Sequence, residues 1–366
     1  MGFFNNLFGK KETPIANNAD FWKWFQSNSA EFFKIVKEGK NIQRDFFGKL
    51  SPQLAKLQDD FYFLTGMTDD HTAELILTPD GKVKNIVLIE ALVQSAPAIP
   101  NWKFTALKPT HRIEDVRIDL EGCVFDSENL SFYAVDHKSY PDEVDIVIVR
   151  NDDNEDDRSK IIQGTYLFLD NYLGELNFVT TIDNLTVIPK SESDSQHELI
   201  PISKLKDFLV WREKEFVEKY DGIRYDTEND SYSSLEATLN NGRPLIAIIN
   251  TTLLDWDRKA SHPWILKVEI KYNGDNNNGF PDNETYQLLN VFEDEIMHEL
   301  KDFDGYLNIG RETADNTREI YFACKDFRRP SKILHSLLKK YAGKLGADYE
   351  IYKDKYWQSF ERFMAN

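Results

Sequence analysis

The stretch GYLNIGRETADNTREIYFAC, residues 305–324, decides how the C-terminal half reads. Two mostly apolar runs, Tyr306–Gly310 and Glu319–Cys324, flank the polar turn Ala314–Thr317, the pattern of an antiparallel hairpin with a buried face. Before it, Leu288, Val291, Phe292 and Ile296 recur at helical spacing over Glu284–Leu300. After it come a helix at Pro330–Tyr341, a strand at Tyr349–Lys353 and the closing segment Trp357–Met364. Upstream lie a strand, Trp264–Tyr272, and a hairpin, Tyr232–Asn250, whose Asn240-Asn241-Gly242 turn suits a tight connection needing positive φ. Hairpins alternating with single helices predict an α+β architecture, here a ferredoxin-like antiparallel sheet covered by helices.

The preceding residues, 20–220, read as a second mixed α+β sandwich. Phe21, Trp22, Phe25, Phe32, Phe33 and Val36 mark an amphipathic helix over 20–38. Ser51-Pro52 offers an N-cap followed by proline at the first helical position, with Leu54 and Leu57 turned inward. Strands are expected at Phe61–Met67 and Thr72–Thr78, then a turn at Pro79-Asp80-Gly81 and a helix carrying Ile86, Ile89, Leu92 and Val93. Further strands follow at Trp102–Leu107, Val116–Glu121, Leu130–Val135 and Val144–Val149. A helix over 158–176, an extended piece over 178–188 and a helix through Leu205, Phe208, Trp211, Phe216 and Val217 complete this part. At 366 residues the chain exceeds the usual size of one core. Two domains are therefore expected, 20–220 and 232–366, joined by the charged linker 221–231, with residues 1–19 as a tail. Both halves run hairpin, helix, strand, strand, helix.

Composition narrows the function classes. Sixty-two acidic against 44 basic residues give a formal charge of −18, which repels phosphate backbones and favours a basic protein partner over nucleic acid. Two cysteines, Cys123 and Cys324, supply neither a disulfide framework nor a cysteine-rich zinc site, and a reducing cytoplasm is expected. No run reaches the length of a membrane span, and no long apolar leader opens the chain. Phe3, Phe4, Leu7 and Phe8 nevertheless line one side of a short helical pattern, which could touch a membrane or a partner but reads first as a tail or as a patch docked on the chain's own domain.

Catalytic and cofactor signatures are missing. There is no G-x-G-x-x-G run, P-loop, G-x-S-x-G elbow or H-E-x-x-H helix. Asp275-Asn-Asn-Asn-Gly279 fails as a calcium loop, because Gly279 at the sixth position puts Gly274 at the first and Thr285 at the twelfth, where carboxylates are needed. Asp152, Asp153, Glu155, Asp156 and Asp157 read as a solvated acidic turn ahead of a helix, and no metal or cofactor is expected. None of the seven histidines has a second one at a helical ligand spacing. The residues left as contacts for a ligand or partner are His262 beside Trp264 at a strand start, and Arg311 and Arg318 on the hairpin. The two arginines are the better suited to an acidic group.

From about 232 to 364 the chain resembles the bacterial domain-of-unknown-function family 695, on GYLNIGRET (305–313), REIYF (318–322) and YEIY (349–352). That family is similar to the B-type regulators of ribonuclease E activity, small acidic ferredoxin-like proteins that bind the enzyme. The resemblance implies a cytoplasmic regulatory or adaptor protein without catalysis of its own. The first part, on FYFLTGM (61–67) and FLDNYLGEL (168–176), is similar to bacterial proteins of unassigned activity. A small-molecule binder or enzyme with a pocket around His262, Trp264 and Arg311 is the other reading.

Overall fold

A computed structural model describes residues 14–151, 158–193 and 197–364. The expected phenylalanine-rich tail at Phe3–Phe8 and the acidic residues Asp152–Asp157 lie outside them. Compactness divides the chain into residues 1–110 with Gly174–Leu176, and residues 111–173 with 177–366. The segment 221–231 thus lies inside the second unit, and the stretch expected as one sandwich over 20–220 contributes to both.

In the first unit, α1 (Asn18–Glu38) starts where the Asn17 side chain accepts from Asp20 N, and it buries Phe21, Trp22, Phe25, Phe32 and Val36. A wide turn at Gln43–Phe47 leads into α2 (Gly48–Ala55). Ser51-Pro52 therefore stands inside a helix rather than at its start, because that turn has already begun the helical path. The strands β1 (Tyr62–Asp69) and β2 (Thr72–Thr78) form a hairpin; α3 (Val83–Gln94) then crosses to β3 (Trp102–Ala106), parallel to β2. Two indoles tie α1 to its neighbours, Trp22 Nε1 donating to Leu92 O of α3 at 2.8 Å and Trp102 Nε1 of β3 to Ser29 O at 3.0 Å.

The second unit opens with the small hairpin β4 (Ile118–Leu120) and β5 (Cys123–Phe125). Next come β6 (Leu130–Val135), β7 (Asp145–Arg150), α4 (Arg158–Leu173), α5 (Glu175–Thr181), β8 (Asn184–Pro189), β9 (Ile200–Pro201) and α6 (Leu205–Tyr220). The sheet order is β8-β7-β6-β9, with β7 parallel to β8. The path of hairpin, helix and parallel strand thus occurs twice, over 62–106 and over 130–189. The helix expected across 158–176 breaks at Gly174, whose φ of +78° an L side chain rarely adopts and where a Cβ would stand 2.9 Å from Thr110 N. Phe178, expected in an extended piece, consequently belongs to α5.

The remaining elements are β10 (Tyr232–Thr238), β11 (Pro244–Asn250), α7 (Thr251–Leu254), β12 (Trp264–Lys271), α8 (Asn283–Glu299), β13 (Tyr306–Ala314), β14 (Thr317–Cys324), α9 (Arg328–Tyr341) and β15 (Gly346–Lys353). Their antiparallel sheet runs β10-β11-β13-β14-β12-β15. The path β12-α8-β13-β14-α9-β15 with that order is the ferredoxin-like arrangement, extended at the β13 edge by the first hairpin. Asp282 caps α8 by accepting from Thr285 N at 2.8 Å, while Asp275 accepts from Asn316 and Arg243, so this Asn-rich loop is tied to neighbouring turns.

Both faces of the sheet are covered. Leu266, Val268, Ile270, Ile320 and Phe322 lie buried on the face of α8 and α9. On the other face Ile265, Leu307, Ile309, Tyr321 and Ala323 pack with Trp357, Phe360 and Phe363 of the closing segment, a 3-10 helix at Gln358–Phe363. A bulge between Asn308 and Gly310 inserts one residue into β13. Strand alternation puts Leu307 and Ile309 on the second face, so the extra residue returns Arg311 to the face of α8. Gly310 makes this fit: its φ is +141°, and a Cβ there would overlap Ile248 O of β11.

Candidate functional site

The structure brings two of the four sequence-predicted contacts together and supplies their acid from within. Arg311 Nη1 lies 2.9 Å from Glu293 Oε2 of α8, and Arg318 Nη1 lies 3.6 Å from the same oxygen. Arg318 also donates to Asn290 Oδ1 at 2.9 Å, and its guanidinium stands 5.2 Å from the Tyr286 ring centre. Only 2% of Arg318 is exposed, and burial, then the Arg311 charge, pushes its pKa down. The arginines thus hold α8 on the sheet.

His262 and Trp264 stand apart from that pair. Trp264 pairs with Cys324 on β14, whereas Arg318 pairs with Ile270. Six residues of strand separate these positions, roughly 20 Å. The Trp264 ring packs edge-on against Phe327 at 4.9 Å. His262 is buried, with Nδ1 2.8 Å from Ser261 Oγ and its ring 5.5 Å from that of Trp256. Burial, helped by Lys325 and Arg224, holds its pKa at about 4, so the imidazole is neutral at pH 7.

The densest chemistry lies between the β6–β9 layer and the end of β15, where the sequence alone pointed to nothing. Lys355 is 5% exposed; its ammonium donates to Asp183 Oδ2 and to Asp142 O, each at 2.6 Å. Lys353 lies 2.7 Å from the other Asp183 oxygen and donates to Thr180 O at 2.7 Å. Asp183 also accepts from Val144 N at 2.7 Å. Beside it, the Asp142 carboxylate receives Lys219, the Tyr220 hydroxyl and the Tyr356 hydroxyl at 2.6–2.9 Å. Burial raises the Asp142 pKa, but those donors outweigh it and hold the group below its usual value.

An open cavity of about 460 Å³ adjoins this network, with His137, Tyr140, Glu143, Asp183, Lys353 and Lys355 on its wall. His137 Nε2 is 2.7 Å from Asp145 Oδ2. Glu143 accepts from the amide of Gln358 at 2.7 Å, and burial together with Asp183 raises its pKa. Burial, then Lys353, lowers Lys355 to about 8, outweighing Asp183. For Lys355 the sign of the linkage is fixed: between pH 8 and its ordinary value near 10.5 the unfolded chain binds more protons, so this group makes stability rise with pH. We expect the wild type to gain about 3 kcal/mol relative to Lys355→Met between those pH values, read from paired urea titrations. A constant difference would place Lys355 in water.

Helix α6 of the same unit exposes three large apolar side chains. It buries Leu205 and Leu209 and half-buries Phe208 and Phe216, yet leaves Val210, Trp211 and Val217 at 65%, 52% and 57% exposure. Trp211 and Val217, two of the five apolar residues that mark this helix in the sequence, therefore face outward. The inward positions follow one stripe, 205, 209, 212 and 216, and a helix of 3.6 residues per turn turns 210, 211 and 217 away from it.

Among the described residues no helix is long and apolar enough to cross a membrane, and no group of three His, Cys, Asp or Glu residues is placed to hold a metal ion. Residues 235–365 match a family described as of unknown function, DUF695. No curated protein and no solved structure matches the chain.

Proposed function

We propose that the chain is a non-catalytic regulatory or adaptor protein that binds another protein through α6, with residues 232–366 as a module of the matched family type. The exposed apolar side chains of α6, Trp211 above all and Val210 with Val217 on a neighbouring face, carry this reading. Tryptophan is enriched among residues that dominate binding energy, and here it stands half exposed on a helix. The −18 charge favours a basic partner, and a cytoplasmic setting fits two buried cysteines. The resemblance of family 695 to regulators of ribonuclease E makes a ribonuclease one partner to try, by analogy of fold alone.

Tagged full-length chain and its Trp211→Ala variant, used as bait in the native lysate at two salt concentrations, test the proposal. We expect a saturable partner whose retention falls at least about tenfold in the variant, with unchanged thermal stability because Trp211 contributes little to the core. No saturable partner, or equal retention by both baits, contradicts it.

The cavity beside Glu143 and Lys355 favours a second reading, a site for a small polar molecule. Carboxyl and amine groups with oppositely displaced pKa values in one cleft are a pattern of functional sites.

A further inference from the structure

We infer that β10 is a pairing edge for a second copy of this chain, whose own β10 adds to it antiparallel across a two-fold axis at Leu235. Strand β10 is the outermost of the six-stranded sheet, and among the described strands it pairs with β11 alone. An open edge presents a row of backbone donors and acceptors, which proteins usually blunt with lysine, proline or a bulge. Tyr232–Thr238 contains none of these: its seven residues, YSSLEAT, pair with β11 in unbroken register and carry one charge, Glu236.

The other long edges differ. In β1 the register shifts between Met67 and Asp69. The sequence of β15, GADYEIYK, brings Asp348, Glu350 and Lys353 to the opposite edge of the six-stranded sheet.

Self-pairing fits the β10 sequence. An axis at Leu235, the middle residue, pairs all seven positions. Leu235 then meets its own copy, Ser233 meets Ala237, and on the opposite face Ser234 meets Glu236 and Tyr232 meets Thr238. No like charges face each other, and the aromatic and β-branched pair is a favourable one. Tyr232, Ser234, Glu236 and Thr238 are all exposed in the single chain. Two effects keep the association weak. A lone strand pair is smaller than the roughly 1,200 Å² of a stable interface, and each copy carries −18. Salt screens that repulsion, with a Debye length of about 10 Å at 0.1 M and 3 Å at 1 M, so association should strengthen as salt rises.

Sedimentation equilibrium of the full chain at low and high salt, with Ser234→Lys and Ser234→Glu beside the wild type, tests the inference. Lysine at 234 faces Glu236 of the second copy twice per dimer and should tighten association about 2- to 30-fold; glutamate should loosen it by a similar factor. Position 234 is exposed, so both variants should keep the wild-type melting temperature. A wild type that dimerises more at high salt, with the variants shifting in opposite directions, supports the β10 pairing. A monomer at every concentration and salt, or two variants that associate alike, overturns it.

Discussion

Replacing Asp183 with alanine should destabilise the second unit by about 3–5 kcal/mol, the cost of leaving buried charge without its partner. The carboxylate is the shared acceptor of Lys353 and Lys355, and it also takes Val144 N. Without it, two ammonium groups face each other in a largely buried space. Urea unfolding followed by tryptophan fluorescence gives the number. Asp183→Asn should cost less, because an amide oxygen still accepts from Val144 N. Adding Lys355→Met to Asp183→Ala should recover part of the loss, a coupling of about 1–3 kcal/mol in a double-mutant cycle. A loss below ~1 kcal/mol, additive with Lys355→Met, would mean that the ammonium groups find water through the adjoining cavity.

Glu293→Ala should cost about 3–5 kcal/mol by the same physics beneath α8. Arg318, 2% exposed, would keep Asn290 as its acceptor and lose its counter-charge, while Arg311 would lose its carboxylate partner. Glu293→Gln preserves an acceptor without the charge and should fall between wild type and alanine. Hydrogen exchange adds the spatial readout, since α8 amides should exchange faster in Glu293→Ala before those of β12 do. Uniform loosening of the whole sheet would contradict a role confined to seating α8.

Much of the ferredoxin-like layer was legible from local pattern. Alternation in residues 306–324, the polar tip at Ala314–Thr317 and the Asn241-Gly242 step fix hairpins within a few residues, and each signal is local in sequence. The bulge at Asn308–Gly310 was less visible: Gly310 reads as a strand end, whereas the strand continues through it because the neighbouring carbonyl of Ile248 leaves space for no side chain. Ser51-Pro52 misled for a related reason, since the wide turn before α2 supplies no sequence signature of its own. The orientation of α6 is not legible in its sequence, because its apolar residues occupy more than one face and only packing decides which enters the core.

The chemistry of the candidate sites was harder to read. Arg311 and Arg318 were visible as a pair suited to an acid, but that the acid is Glu293 depends on the bulge that turns Arg311 toward α8. The network of Asp142, Asp183, Lys353 and Lys355 joins positions up to 213 residues apart, as the bond from Lys355 to Asp142 O shows. Each of these residues is an ordinary charge near a loop until the chain folds.

Photo-crosslinking tests the account most directly. A photoreactive amino acid at position 211 of the full chain, compared with one at the exposed Gln287 of α8, should trap one saturable protein partner from the native lysate at position 211 alone. Equal labelling at the two positions, or no saturable product from a bait with wild-type stability, would contradict α6 as the binding surface.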